Sequence, residues 1–186
     1  DQIAYFDFSI STIFGPIISV LVVHVVRSMS PDITVQRILA RHYKAMRETI
    51  EIPYGVGFKI HLRSMLDRIG VLNTKPVQSE QLKIEINNAL IESSAAIDLA
   101  RLQELVKKLS PESTVRHSIV ELQKLLDQWL AQREVNQFGQ NVPAALLAMF
   151  DQVLIDVQSV GDEDIRQRVG ISVNNIRNSI CHQHVG

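Results

Sequence analysis

From Ile10 to Val26 the chain runs seventeen residues without a Lys, Arg, Asp or Glu, bracketed by Asp7 and Arg27. Phe8 and Met29 extend its apolar reach. A bilayer core of about 30 Å takes roughly 20 mostly apolar residues of helix, with a lower limit of about 17, so Phe8 to Met29 is long enough to span one. Ser9, Ser11, Thr12 and Ser19 can bond back to their own helix. Gly15 and Pro16 are tolerated in spanning helices. His24 is the one ionisable side chain inside the run. Such a group is a functional candidate, for example in handling protons, or else a neutral imidazole set against a neighbouring helix.

Two other readings compete with the spanning helix. A secretory signal requires basic residues ahead of its apolar core, and none precedes Arg27, which excludes it. A buried segment of a soluble domain stays open, because Ile17 to Val26 is rich in β-branched residues and periodicity cannot separate strand from buried helix there. The flanks favour the membrane. Arg27, Arg37, Arg41, Lys44 and Arg47 form a juxtamembrane basic face within about 20 residues of the end of the run, where topology signals are read, while only Asp1 and Asp7 lie upstream. This places residues 1–29 as a last membrane helix and residues 30–186 as a cytosolic domain. The chain begins on Asp1 without an initiator Met, which suggests a piece of something larger.

The soluble part has the length of one domain. A net charge of −1 argues against a nucleic-acid module, which is normally strongly basic. Hydrophobic residues make up 46 %, enough for a core, and aromatics only 5 %, which suits helices packed through Leu, Ile, Val and Ala. Cys181 is the sole cysteine, so no disulfide framework or cysteine-rich zinc site is available.

Ser30-Pro31-Asp32 reads as an N-cap, a proline at the first helical position and an acid in the first turn. The helix runs to about Thr49, with Ile33, Ile38 and Met46 as apolar positions. Arg37, Arg41 and Lys44 sit at i, i+4 and i+7 and make one basic face, able to attract anionic lipid at roughly 1 kcal/mol per charge or simply to fix topology. Ile52 to Gly57 is a turn, since its two glycines lack the spacing of a nucleotide loop. A helix through Phe58, Leu62, Met65, Leu66 and Ile69 stops near Asn73, and Lys75-Pro76 is a linker.

Ser79 to Leu109 reads as one helix, and Ser110-Pro111-Glu112 closes it and opens the next. In that helix Val115, Ile119, Leu122, Leu126 and Trp129 are spaced 4, 3, 4, 3, the seam of a bundle helix. Asn136 to Gln140 is a loop. Asn141 caps a helix with Pro143 just inside it, and Val142, Leu146, Met149, Val153 and Val157 carry the same periodicity. Asp162 to Asp164 place acids at the start of a last helix, along which Ile165, Val169, Val173, Ile176 and Ile180 form the stripe. The fold class is all-α: one hydrophobic helix, then an antiparallel helical bundle with short connections.

Little here carries chemistry. Cys181, His182 and His184 are possible zinc or copper donors, but three ligands at a chain end that normally frays do not define a site. His117 beside Val115 and Ile119 could serve phosphotransfer or sit at a solvated boundary. No catalytic motif is present, and no catalytic residue, metal site or cofactor is expected.

Phe8-Ser-Ile-Ser-Thr-Ile-Phe-Gly-Pro-Ile-Ile-Ser-Val20, Val25-Val-Arg-Ser-Met-Ser-Pro-Asp32 and the basic helix after them resemble the join between the last membrane helix and the cytosolic tail of the fusaric-acid-resistance (FUSC) family. Met65-Leu-Asp-Arg-Ile-Gly-Val-Leu-Asn73 is similar to that family's tail helix, with its aliphatic-x-Arg-Ile motif. The resemblance implies a bacterial inner-membrane efflux protein exporting small, often aromatic, organic acids or toxic compounds, with this tail in the cytoplasm. It implies as partners membrane lipid, the rest of the transporter, a small-molecule substrate in the parent protein and a homo-oligomer, and no nucleic acid. It carries over no substrate-binding residue. The rival from another class is a soluble helical interaction or scaffold module whose first segment is buried core.

Overall fold

A computed structural model describes residues 31–181 apart from 73, 136, 137 and 140, so the apolar opening run lies outside the described residues. Seven α-helices follow one another: α1 (Pro31–Glu51), α2 (Val56–Leu72), α3 (Glu80–Glu92), α4 (Ala95–Lys108), α5 (Thr114–Glu134), α6 (Ala144–Asp156) and α7 (Glu163–Cys181), with a 3-10 turn at Val157–Ser159 between the last two. No strand occurs among the described residues, and the all-α reading holds for this region. None of these helices is long and apolar enough to cross a membrane.

The hub is α1. It packs against α5 most extensively and also against α2, α3 and α4, while α7 closes the far side against α4 and α6. One continuous core draws on every helix except α2's first turns. The 4-3-4-3 stripe of α5 is buried from Val115 to Trp129, as its spacing requires. The stripes of α6 and α7 also face inward, with Phe150 added to the first. Each such Leu, Ile or Phe contributes about 1.5–3 kcal/mol relative to leaving it in water.

Four local expectations are corrected. In α1 the inward ridge is Val35, Leu39, Tyr43, Met46 and Ile50, while Ile33 is exposed; the polar His42 and Tyr43 interrupt the apolar pattern that would have revealed it. The segment from Ser79 to Leu109 is two helices. Ser93 Oγ donates to the Ala89 carbonyl (2.6 Å) and Ser94 Oγ to that of Ile91 (2.7 Å). Such back-bonding hydroxyls compete with the helical ladder and bend it. The cap of α5 is Ser113, whose Oγ accepts from Arg116 N (3.3 Å), because Ser110 to Ser113 closes as a turn first. Pro143 is itself the cap position of α6, where its extended ψ of 137° keeps it out of the helix.

Two ends match their chemistry. Asp162 Oδ1 accepts from the backbone N–H of Asp164 (3.0 Å) and Ile165 (3.2 Å), capping α7. Gly139 sits at φ +74° in the loop before α6, a conformation that favours glycine.

Candidate functional site

The outer side of α1 carries the predicted basic face. Arg37, Arg41 and Lys44 are all exposed and make no ion pair among the described residues. The Arg41 carbonyl accepts from Arg68 Nη1 of α2 (3.3 Å), which brings a further cation beside the face. Arg47 leaves it. Its Nε and Nη2 grip Asp127 (2.7 and 3.2 Å) and its Nη1 grips Glu134 (2.6 Å), both on α5. The Asp127 and Glu134 carboxylates hold its guanidinium firmly protonated. Gly15, Pro16, His24, Arg27, His182 and His184 lie outside the described residues. Cys181 ends α7 half-buried; burial pushes its thiol up, against a smaller pull from Arg177. No three His, Cys, Asp or Glu side chains converge as metal donors among the described residues. His117 is exposed on α5, and His61 Nε2 donates to the Ala45 carbonyl (2.8 Å).

The opposite side of α1 meets a group that the sequence did not announce. Arg133, near the end of α5, is 3 % exposed and bridges Glu85 and Glu92 of α3, which are 2 % and 0 % exposed. Arg133 Nε donates to Glu85 Oε1 (3.0 Å) and Nη2 to the Tyr43 hydroxyl (2.6 Å), which in turn donates to Glu85 Oε1 (2.6 Å). The guanidinium also lies over the rings of Tyr43 (4.5 Å) and Trp129 (4.8 Å), where cation–π attraction adds to the charge pairing. Three helices are thereby tied through one cation.

The protonation states follow from burial. Burial alone would lower Arg133, but the charges of Glu92 and Glu85 and the hydroxyl of Tyr43 outweigh it, so the guanidinium stays charged. Burial pushes Glu92 up to about 7, with Arg133 only partly offsetting it. Tyr43 is raised well above its ordinary range by burial and by Glu92, and it remains a donor. His42, edge-on to Tyr43 at 5.4 Å, is pulled down to about 3 by burial and by Arg68 and Arg133. The Ala89 carbonyl raises it slightly without reaching hydrogen-bond geometry, and both ring nitrogens lack a partner among the described residues. The imidazole is neutral at pH 7.

Tyr43, His42, Glu85, Glu92 and Arg133 are each 3 % exposed or less, so the cluster lies inside the bundle. It fixes how α1, α3 and α5 sit together. A signal for it exists in the sequence: Glu85, Asn88 and Glu92 recur at helical spacing, and all three are buried. Charged residues at such positions ordinarily mark a solvated face, which is why the pattern reads as surface.

Fold and site together define an all-α bundle with an exposed basic face on its central helix and a buried ion cluster behind it. Comparison of the chain with protein-family models, with curated proteins and with solved structures gives no match.

Proposed function

We propose that the chain is the cytosolic helical-bundle end of an inner-membrane exporter of small organic acids or toxic compounds. Residues 1–29 are its last membrane helix, and the bundle serves assembly or regulation. The observation that carries this reading is the charge-free run Ile10 to Val26, which ends five residues before Pro31, where α1 begins. The cations beyond it favour an inner-side tail, and Arg37, Arg41 and Lys44 are exposed rather than used inside the bundle. The exporter class rests on the resemblance alone.

The helix that follows the run in the sequence is the hub of the bundle, clamped by Arg47 to α5 and by Tyr43 to the Arg133 cluster. A displacement of the membrane segment would reach the core through α1, and a change in the bundle would act back along it.

The test is fractionation of the full chain with a C-terminal tag in a bacterial host. The reading expects the chain in the membrane pellet after an alkaline carbonate wash, with the tag shielded from protease in intact spheroplasts. Recovery in the soluble fraction would replace it with the scaffold module. A tag cleaved from outside would refute the orientation.

A further inference from the structure

Away from the basic face, α4 and α7 enclose a cleft of about 470 Å³ against the turn between α1 and α2. Its chemistry is uneven. Arg101 and Lys108 project from one side of α4, seven residues apart, and Arg168 faces them from α7. Glu104 is the one acid in the lining, so three cations face one carboxylate. Leu105, 5 % exposed, forms an apolar floor, and Ile171, 58 % exposed, an apolar rim.

Tyr54 supplies an aromatic wall. Its ring packs on the buried Phe58 at 5.4 Å, which fixes it, yet the residue remains 39 % exposed at the cleft. The acids nearest the cations are weakly engaged. Arg101 stands 3.7 Å from Asp98, and Arg168 stands 3.3 Å from Asp164, both pairs with more than half of the arginine in water. The Arg168–Asp164 pair is exposed on both sides, and such pairs contribute about 0–1 kcal/mol; Asp98 is itself buried but stands beyond hydrogen-bond reach of Arg101, so an incoming anion can compete for either guanidinium. Asp98 is turned into the seam between the helices, where it accepts from Ser172 Oγ (3.1 Å) and Asn175 Nδ2 (3.2 Å). Lys108 makes no ion pair among the described residues.

We propose that this cleft is a binding site for a small aromatic dianion, of which an aryl phosphate monoester is the simplest form. Two arginines and a lysine recognise the doubly charged head, arginine by paired hydrogen bonds and lysine as a point charge. Tyr54, Leu105 and Ile171 receive the flat apolar body, the usual division of labour in a ligand pocket. A ligand seated there joins α4, α7 and the α1–α2 turn. The site stands independently of the membrane reading, because every group in it belongs to the described bundle.

Calorimetric titration of the full chain, in a neutral detergent, tests this with three probes: phenyl phosphate, benzoate and inorganic phosphate. Phenyl phosphate is expected to bind with a Kd below about 1 mM, and the other two at least about tenfold more weakly, since each lacks one half of the recognition. Arg101→Glu and Lys108→Glu, both at exposed positions, are each expected to weaken phenyl phosphate at least about tenfold while helicity and Tm hold. Tyr54→Ala is expected to weaken phenyl phosphate and leave inorganic phosphate unchanged. Equal affinity for inorganic and phenyl phosphate would overturn the proposal, as would binding that survives both charge reversals in the folded variants, or no binding of phenyl phosphate at 10-fold above about 1 mM.

Discussion

Arg47 and Arg133 each bridge two carboxylates across a helix pair, Arg47 from α1 to Asp127 and Glu134 of α5, and Arg133 from α5 to Glu85 and Glu92 of α3. The functional groups are the same, and the surroundings are not. The Arg47 side chain is 33 % exposed and its partners 43 % and 27 %, whereas Arg133 and its partners are exposed by 3 % or less. Water screens the first bridge and substitutes for it when it breaks. Nothing substitutes for the second. The two bridges therefore differ in the consequence of losing one partner far more than in the strength of the contacts themselves.

The largest expected effect comes from breaking the dry bridge from one side. Arg133→Met leaves Glu85 and Glu92 buried without their cation and is expected to destabilise the fold by about 3–5 kcal/mol. Urea unfolding of the purified variant measures it. The triple variant Arg133→Met, Glu85→Gln, Glu92→Gln removes the charges together and is expected to recover a large part of the loss, because the penalty is an uncompensated buried charge rather than a missing attraction. A triple variant as unstable as the single would mean that the bridge's own attraction dominates.

The same contrast explains what could be read from the sequence. The seam of α5 was legible, because Val115 to Trp129 are apolar at bundle spacing and nothing competes with that pattern. Arg133, four residues beyond Trp129, continues the same inward face, but a guanidinium there reads as the helix returning to solvent. On α1 the basic face was legible from Arg37, Arg41 and Lys44, yet Arg47 was grouped with it because spacing along one helix says nothing about acids on another. The inner face was missed because its centre is His42 and Tyr43. The break at Ser93-Ser94 was hidden because the periodicity on either side stays nearly in phase across two residues. Short polar insertions and buried ions escape a reading based on apolar period, since their stabilisation comes from partners distant in sequence.

Next in size are two pH effects inside the cluster, which run in opposite directions. Glu92 rises from 4.5 to about 7 on folding, so between those values the folded state keeps a proton that the unfolded chain has lost. Its contribution is fully present below pH 4.5 and falls as pH rises through that window. His42 drops from 6.5 to about 3, so the folded state refuses a proton that the unfolded chain accepts. Its contribution is fully present above pH 6.5 and falls as the solution is acidified toward 3. Between pH 4.5 and 6.5 the two slopes, each at most about 1.4 kcal/mol per pH unit, oppose one another, and the native chain is expected to show nearly flat stability.

Single variants should tilt that plateau both ways. Glu92→Gln, which mimics the protonated acid, is expected to leave stability rising with pH from about 3 to 6.5. His42→Phe, which keeps a ring and removes two unpartnered nitrogens, is expected to leave stability falling with pH from about 4.5 to 7. Chemical denaturation at half-unit steps of pH reads both, and tilts of the same sign in the two variants would contradict the assignment.

The smallest effect is expected at the wet bridge. Arg47→Ala removes a bidentate grip on Asp127 and a second contact to Glu134, yet the carboxylates it leaves behind remain open to water. Exposed pairs contribute about 0–1 kcal/mol, and the doubly bridged geometry places this one toward the upper end. The loss should shrink between low and 1 M salt, where the screening length falls to about 3 Å. The penalty of Arg133→Met should barely respond to the same salt, because ions cannot enter the cluster. Paired denaturation curves of the two variants at both salt levels compare the bridges directly. An Arg47→Ala penalty as large and as salt-resistant as that of Arg133→Met would show that exposure is not what separates them.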